Sequence, residues 1–174
     1  MAHAEVPGMN MEEQLRRWIE EYSDAILRVC FLYLADQAQA EDALQDTFIK
    51  AWQHMNEGRH LCSEKAWLMR IAINTCKDYR RTAWFRHVDL RQALDELPPR
   101  LLFTSTEDRS LTLAVMELPT RYKQVILLYY YQGFTQQETA TALGLSPAAV
   151  FRRLRKAESL LRTALTGGDD CADQ

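Results

Sequence analysis

Apolar residues recur at every third or fourth position through most of this chain, which is the period of an amphipathic helix. Leu15, Trp18, Ile19, Tyr22, Ile26 and Val29 mark one apolar face of a first helix. A second is expected from about Ala40 to Met55, with Ala43, Leu44, Thr47, Phe48, Ala51, Trp52 and Met55 as its stripe. A third should run from near Ser63 to near Thr82, with Ser63 as its cap and Leu68, Ile71, Ala72, Thr75 and Tyr79 facing a core. The pattern then fades. "RHVDLRQALDELPPRLLFTSTED" holds one weak helical piece around Leu90 to Leu97, a Pro-Pro break and a polar run, so Ala83 to Thr106 reads as a linker. Periodicity resumes at Leu111, Val115 and Leu118, and Pro119 opens a further helix at the first position, where its missing N–H costs least. No strand-like alternation exceeds chance. The pattern therefore predicts an all-α protein in two helical halves.

The last part of the pattern has its own punctuation. In "GFTQQETATALGLSPAAVFRRLRKAESLL", Gly133 can end one helix, and Thr135 with Glu138 forms a capping box for the next. Gly144 supplies a turn, Ser146 caps the following helix and Pro147 takes its first position. Helix, short glycine turn, helix is the helix-turn-helix pattern, whose second helix reads the major groove. At 100° per residue, Val150, Leu154, Ala157, Leu161 and Leu165 share one face, which is expected to be core. Arg152, Arg155 and Lys156 lie on the other side, Arg153 lies at the edge, and the small Ala148 and Ala149 near the start leave room for close approach. Arginine can take guanine bidentately and lysine can neutralise a phosphate. Phe151 has two readings, as filler of the core edge or as a contact to a thymine methyl.

Charge sharpens this picture. The 174 residues carry a formal net charge of −3, but the charge is segmental. Asn10 to Glu57 holds ten acidic and four basic residues, Arg59 to Arg91 three and eight, and Pro119 to Leu165 two and seven. Two basic stretches are thus set in an acidic chain, as suits contact with nucleic acid by one part and with something else by another. On the third helix Arg70, Asn74, Lys77 and Arg81 form one stripe opposite Leu68 and Ile71. Cations around one amide suit a surface that grips backbone and reads a base. Trp67 borders the stripe and Trp84 and Phe85 follow it. They fit either as stacking platforms for unpaired bases or as core. On the second helix Ile49 falls among Asp42, Gln45, Asp46 and Gln53, the composition of a protein-contact patch.

Other classes of function find little support. The 47% apolar fraction with only 6 glycines and 5 prolines suits a packed helical protein. No apolar run approaches the ~18 residues of a membrane span, and "MAHAEVPGMNMEE" does not read as a signal peptide, so no membrane insertion is expected. Cys30, Cys62, Cys76 and Cys171 form no CxxC pair and read as reduced thiols of a cytosolic protein. His3, His54, His60 and His87 are scattered, and no glycine loop could cradle phosphate, so neither an enzyme nor a metal or cofactor site is expected.

Three segments, in order, resemble the sigma-70 family of bacterial RNA polymerase initiation factors, and its two-domain extracytoplasmic-function branch in particular. "AEDALQDTFIKAWQ" is similar to region 2.2, "AWLMRIAINTCKDYRR" to region 2.4, and "ELPTRYKQVILLYYYQGFTQQETATALGLSPAAVFRRLRKAESLL" to region 4. The resemblance implies a region 2 bundle of three to four helices over residues 10–83, a flexible linker over 84–106, a region 4 helix-turn-helix over 107–166 and an acidic tail over 167–174. It implies as partners core RNA polymerase, through the β′ clamp helices and the β flap, promoter DNA and an anti-sigma factor, all in the bacterial cytoplasm. Carried over by position, Asp42, Gln45, Asp46 and Ile49 meet the β′ subunit. Asn74 falls where a flipped base of the minus-10 element is held, with Arg70, Lys77 and Arg81 flanking that strand, and Trp67 joins this surface from its own place at the edge of the stripe. Arg152, Arg153, Arg155 and Lys156 fall on the helix that reads the minus-35 element, and Ala148 and Ala149 join them from their own place at its start. "VFRRLRK" departs from the Ser-Arg pair common after the valine of that helix, and Phe151 stands where a basic residue is frequent. Two rivals remain from the residues alone: a helix-turn-helix regulator acting without polymerase, and a helical adaptor binding protein only.

Overall fold

The structure, a computed structural model, describes residues 10–55, 63–82, 89–98 and 109–167. Trp84, Phe85, Cys62, Cys171, His3, His60, His87 and residues 168–174 of the acidic tail lie outside the described residues. Among the described residues the regular elements are helical.

Helix α1 (Met11–Leu34) is longer than its apolar stripe suggests because both ends are fixed. Asn10 and Glu13 form a reciprocal capping box, and Ala35 ends the helix in the left-handed region at φ 57°. Glycine usually holds that position, so the sequence gives no stop signal there. Helix α2 (Gln37–His54) begins three residues before its expected start at Ala40, because the Asp36 side chain accepts from the Gln39 N–H. Helix α3 (Glu64–Thr82) starts as expected, with Ser63 Oγ accepting from Ala66 N at 3.2 Å. The three helices pack against one another around Trp18, Ile26, Phe31, Leu68, Met69 and Ile73, all essentially inaccessible to solvent. Full burial of an aliphatic or aromatic side chain of this size stabilises by roughly 1.5–3 kcal/mol. Ile19 is a correction: at 42% exposed it sits beside the stripe rather than in it.

The linker is partly structured. Asp89 caps α4 (Leu90–Asp95), and Ala93, Leu94 and Leu97 are buried. Arg109 at the start of α5 (Arg109–Glu117) ties back to Asp95. Helix α6 (Thr120–Ile126) follows, with Pro119 at its N-cap and not, as expected, inside its first turn. It continues as a π-helical turn, Leu127–Tyr131, in which Gln132 N bonds Leu127 O at 3.1 Å. One extra residue is accommodated there before Gly133 turns the chain at φ 69°. Helix α7 (Gln136–Leu143) carries the Thr135–Glu138 capping box, Gly144 closes it at φ 67°, and Ser146 caps α8 (Pro147–Thr166). Val150, Leu154 and Ala157 are buried, Leu161 is half-buried, and Leu165 is exposed. By Leu165 the helix has outrun the bundle, which is why the last member of the expected core face has nothing to pack against.

The two halves touch along α3. Lys65 Nζ donates to the Gln132 carbonyl at 3.1 Å and lies over the Phe134 ring. At the other end of α3, Arg80 donates to Thr120 Oγ1 at 2.9 Å. Gln124 donates to the buried Tyr33 hydroxyl of α1 at 3.0 Å.

Candidate nucleic-acid interface

Helix α8 presents its cationic residues to solvent much as its wheel predicts. Ala148, Arg152, Arg155 and Lys156 are exposed, and Ala149 and Arg153 are half-buried. The Gly144 turn sets the approach of α7 to α8, and Thr139, Ala140 and Ala142 of α7 are buried. Small buried residues there let the two helices come close. Glu158 accepts from the Tyr130 hydroxyl at 2.7 Å and sits 3.6 Å from Arg155. The bond to Glu158, with burial behind it, pushes the Tyr130 phenol up to about 12. Arg155 therefore leaves the bundle beside an anchored carboxylate, whereas Arg152 projects one turn nearer the helix start, the part of the second helix that contacts base edges in helix-turn-helix proteins generally. Phe151 is 52% exposed, which decides between its two readings: it does not fill the core edge.

On α3 the stripe emerges as a surface. Arg70, Asn74 and Arg81 are exposed and Lys77 is half-buried. Ala66, Leu68, Met69, Ala72, Ile73, Thr75 and Cys76 take the opposite side into the core, so the stripe is held on a rigid helix. Burial, and then the charges of Arg153 and Arg70, pull the Lys77 ammonium below its usual value. Arg81 folds back on Asp78, which also lies 3.7 Å from Lys50. Trp67 is half-buried, with its ring 5.4 Å from Trp18, so most of it is core and one edge borders the stripe. Cys30 and Cys76 are free and buried.

The polar face of α2 gathers Asp42, Gln45 and Ile49 in the open, with Ile49 54% exposed. Two features of this face escape sequence reasoning. Trp52, assigned to the core stripe, is exposed one turn from Ile49, making a pair of apolar residues among acids and amides. Asp46 accepts from the Tyr79 hydroxyl of α3 at 2.9 Å. Burial, then the bond to Asp46, raises the Tyr79 phenol to about 12. The first could have been found from the wheel position of Trp52, at the border of the stripe. The second crosses between helices and has no local signal.

Comparison with known proteins decides the family. Residues 18–86 match sigma-70 region 2 and residues 108–161 match sigma-70 region 4. The chain is 31% identical over 156 residues to the ECF RNA polymerase sigma factor SigL of Mycobacterium tuberculosis, covering 87% of this chain and 88% of that protein. The chain belongs to the extracytoplasmic-function branch of the sigma-70 family.

Other relatives of this sigma factor include the probable RNA polymerase sigma factor RfaY of Xanthomonas campestris pv. campestris. It is 28% identical over an alignment of 176 positions that covers 95% of this chain and 44% of that longer protein. Among solved structures, the fold is similar to CnrH in complex with the cytosolic domain of CnrY, with a TM-score of 0.68, 23% identity and 90% of both chains covered. It is also similar to the sigma factor RpoE in complex with the anti-sigma factor NepR from Bartonella quintana. There the TM-score is 0.70 and the identity 20%, over 88% of this chain and 98% of that one. No described helix is long and apolar enough to cross a membrane.

Proposed function

We propose that this sigma factor binds core RNA polymerase through the α2 face and directs it to promoters through two DNA surfaces, the α3 stripe and the start of α8. Asp42, Gln45, Asp46 and Ile49, joined by Trp52, form the polymerase contact. The exposed apolar pair supplies desolvation and the acids supply charge complementarity. Arg70, Lys77 and Arg81 flank the non-template strand at the minus-10 element, the free edge of Trp67 borders it, and Asn74 holds an unstacked base. Ala148, Ala149 and Arg152 lie against base edges of the minus-35 element, with Phe151 beside them, while Arg153, Arg155 and Lys156 lie against phosphate. The work is binding and strand opening. Unstacking a base costs a few kcal/mol, which the pocket and the polymerase contacts offset.

The observation that carries this reading is that both cationic faces, on α3 and on α8, are exposed on rigid helices in a chain that holds both sigma regions. The domain limits that follow are 10–83 and 107–166, with 84–106 between. The minus-10 and minus-35 elements lie about 25 base pairs apart, roughly 85 Å at 3.4 Å per base pair. Lys65–Gln132 and Arg80–Thr120 hold the halves far closer than that, so both elements are engaged only after these contacts part. An anti-sigma factor, the kind of partner bound to RpoE in the similar structure, would act by favouring the closed arrangement in the cytoplasm. The net charge of −3 disfavours free DNA, so tight promoter binding needs polymerase. Mobility-shift assays at physiological salt test this. A promoter duplex should shift with core enzyme and sigma factor together. A tight shift by the sigma factor alone would contradict the reading.

A further inference from the structure

Tyr130 is the exposed member of a run of three tyrosines, and its place comes from an irregularity of the backbone. The π turn Leu127–Tyr131 holds one residue more than a 3.6-residue helix would, and such insertions are frequent at functional sites. Leu127 and Leu128 are buried, Tyr129 is half-buried, and Tyr130 leaves the turn toward α8. The rings of Tyr129 and Tyr130 meet edge-on, with centroids 5.0 Å apart and planes at 85°, which fixes the direction of the Tyr130 phenol. Its hydroxyl donates to Glu158 Oε1 at 2.7 Å, between residues 28 apart in the chain. The bond to Glu158, with burial behind it, holds the phenol at about 12, so it stays a donor at physiological pH.

Glu158 faces two ways. Oε1 is taken by Tyr130, and Oε2 lies 3.6 Å from Arg155 Nη1, nearly one turn back along α8. That distance is too long for a hydrogen bond. Arg155 is therefore drawn to one side by charge, while no hydrogen bond to Glu158 uses its N–H donors. The Glu158 side chain is 31% exposed and that of Arg155 71%. The carboxylate is thus held against the bundle and the guanidinium stands out in solvent.

The geometry points to Tyr130 as a positioning residue for DNA binding: its hydroxyl holds the Glu158 carboxylate short of a closed ion pair with Arg155, and so keeps the Arg155 guanidinium available to a phosphate oxygen. Without that hydroxyl, Glu158 keeps its charge and loses its anchor. Residues three apart on one helix are near enough for a full pair. A carboxylate hydrogen-bonded to arginine occupies the same planar fork of donors that a phosphate needs. Tyr130 itself touches no DNA in this arrangement and acts through Glu158 and Arg155. The inference deepens the reading of Arg155 as a phosphate contact and rests on it.

The test titrates a linear promoter duplex with holoenzyme, assembled from core polymerase and the full chain, at several salt concentrations. Fluorescence anisotropy reads the affinity on a duplex carrying a mapped start site and on one with its minus-35 sequence altered. Arg155→Gln should weaken binding to both duplexes and flatten the salt dependence by about one counterion. Tyr130→Phe keeps the ring and its contact with Tyr129 and removes only the hydroxyl. It should reproduce part of that effect, a loss of about threefold on both duplexes, the range of an exposed ion pair, with a flatter salt dependence. In an Arg155→Gln background Tyr130→Phe should cost nothing further. It should also be silent in a Glu158→Gln background, where the competing charge is gone. Affinity unchanged or raised in Tyr130→Phe, with Arg155→Gln weakened, would overturn the role of Tyr130 and leave Arg155 as a phosphate contact. The same loss from Tyr130→Phe in the Arg155→Gln background would overturn it too, because the hydroxyl would then act on the fold and not through Arg155. No effect of Arg155→Gln would remove Arg155 from phosphate and the role of Tyr130 with it.

Discussion

The Tyr79 hydroxyl donates a 2.9 Å hydrogen bond to Asp46 Oδ2, joining the face of α2 proposed to meet polymerase to the helix that carries the cationic stripe. Asp46 thus has an observed bond beside its proposed polymerase contact, and a single substitution confounds the two. Tyr79→Phe removes the bond and keeps the carboxylate, and Asp46→Ala removes both. A hydrogen bond to a charged group contributes about 1.5–3 kcal/mol, less where it is partly solvated as here. Both variants should lower the melting temperature by a few degrees. Asp46→Ala alone should weaken binding to core polymerase, about tenfold, in a fluorescence-anisotropy titration. Equal losses of polymerase affinity would mean that the carboxylate acts only through Tyr79.

Arg152 stands exposed one turn into α8. If it is bidentate to a base it contributes about 1–3 kcal/mol of discrimination. Arg152→Ala should reduce the preference for the cognate minus-35 sequence about 5- to 150-fold. Lys156→Ala should weaken binding to all sequences and flatten the salt dependence by about one counterion. Quantitative footprinting of polymerase-bound promoters at several salt concentrations separates the two. Identical footprints for Arg152→Ala and Asp46→Ala would contradict the division of labour between α8 and α2.

Asn74 lies in the exposed stripe on the rigid face of α3. Asn74→Ala should leave polymerase binding and the minus-35 footprint intact while permanganate reactivity of unpaired thymines at the minus-10 element falls at least tenfold. Unchanged reactivity would remove Asn74 from strand opening.

Lys123 is 4% exposed, and its ammonium is brought from 10.5 to about 8 by burial and then by Arg80. Between those values the unfolded chain binds more protons at this site than the folded one, so stability rises with pH. Below about 8 the full cost of the buried charge is present. The upper bound is ~3 kcal/mol. Lys123→Met keeps the apolar stem and removes the charge. Its melting temperature should exceed that of the wild type by several degrees at pH 7, and the gap should close as pH approaches 10.5. A gap independent of pH would place the ionisation of Lys123 elsewhere.

Local rules made the helices legible, and long-range contacts defeated them. Ser63, Thr135, Ser146 and Gly144 each do what their residue types suggest, because caps and turns are decided within four residues. The wheels of α3 and α8 separated core from surface because both helices have a wide, continuous apolar face. Ile19, Trp52 and Leu165 were misplaced because each lies at the border or the end of a stripe, where the neighbouring element decides burial. The π turn at Leu127–Tyr131 has no signal in a 3.6-residue period. The contacts of Lys65, Arg80 and Gln124 across the halves were likewise invisible, since their partners lie 67, 40 and 91 residues away.

Run-off transcription with core polymerase, this sigma factor and genomic fragments, followed by mapping of the start sites, tests the central claim most directly. The account predicts discrete starts that require both proteins and share paired upstream elements. Asn74→Ala and Arg152→Ala should each reduce them, and Asp46→Ala should abolish them unless more protein is supplied. Transcription that is unchanged by adding the sigma factor, or initiation at random sites, would contradict it.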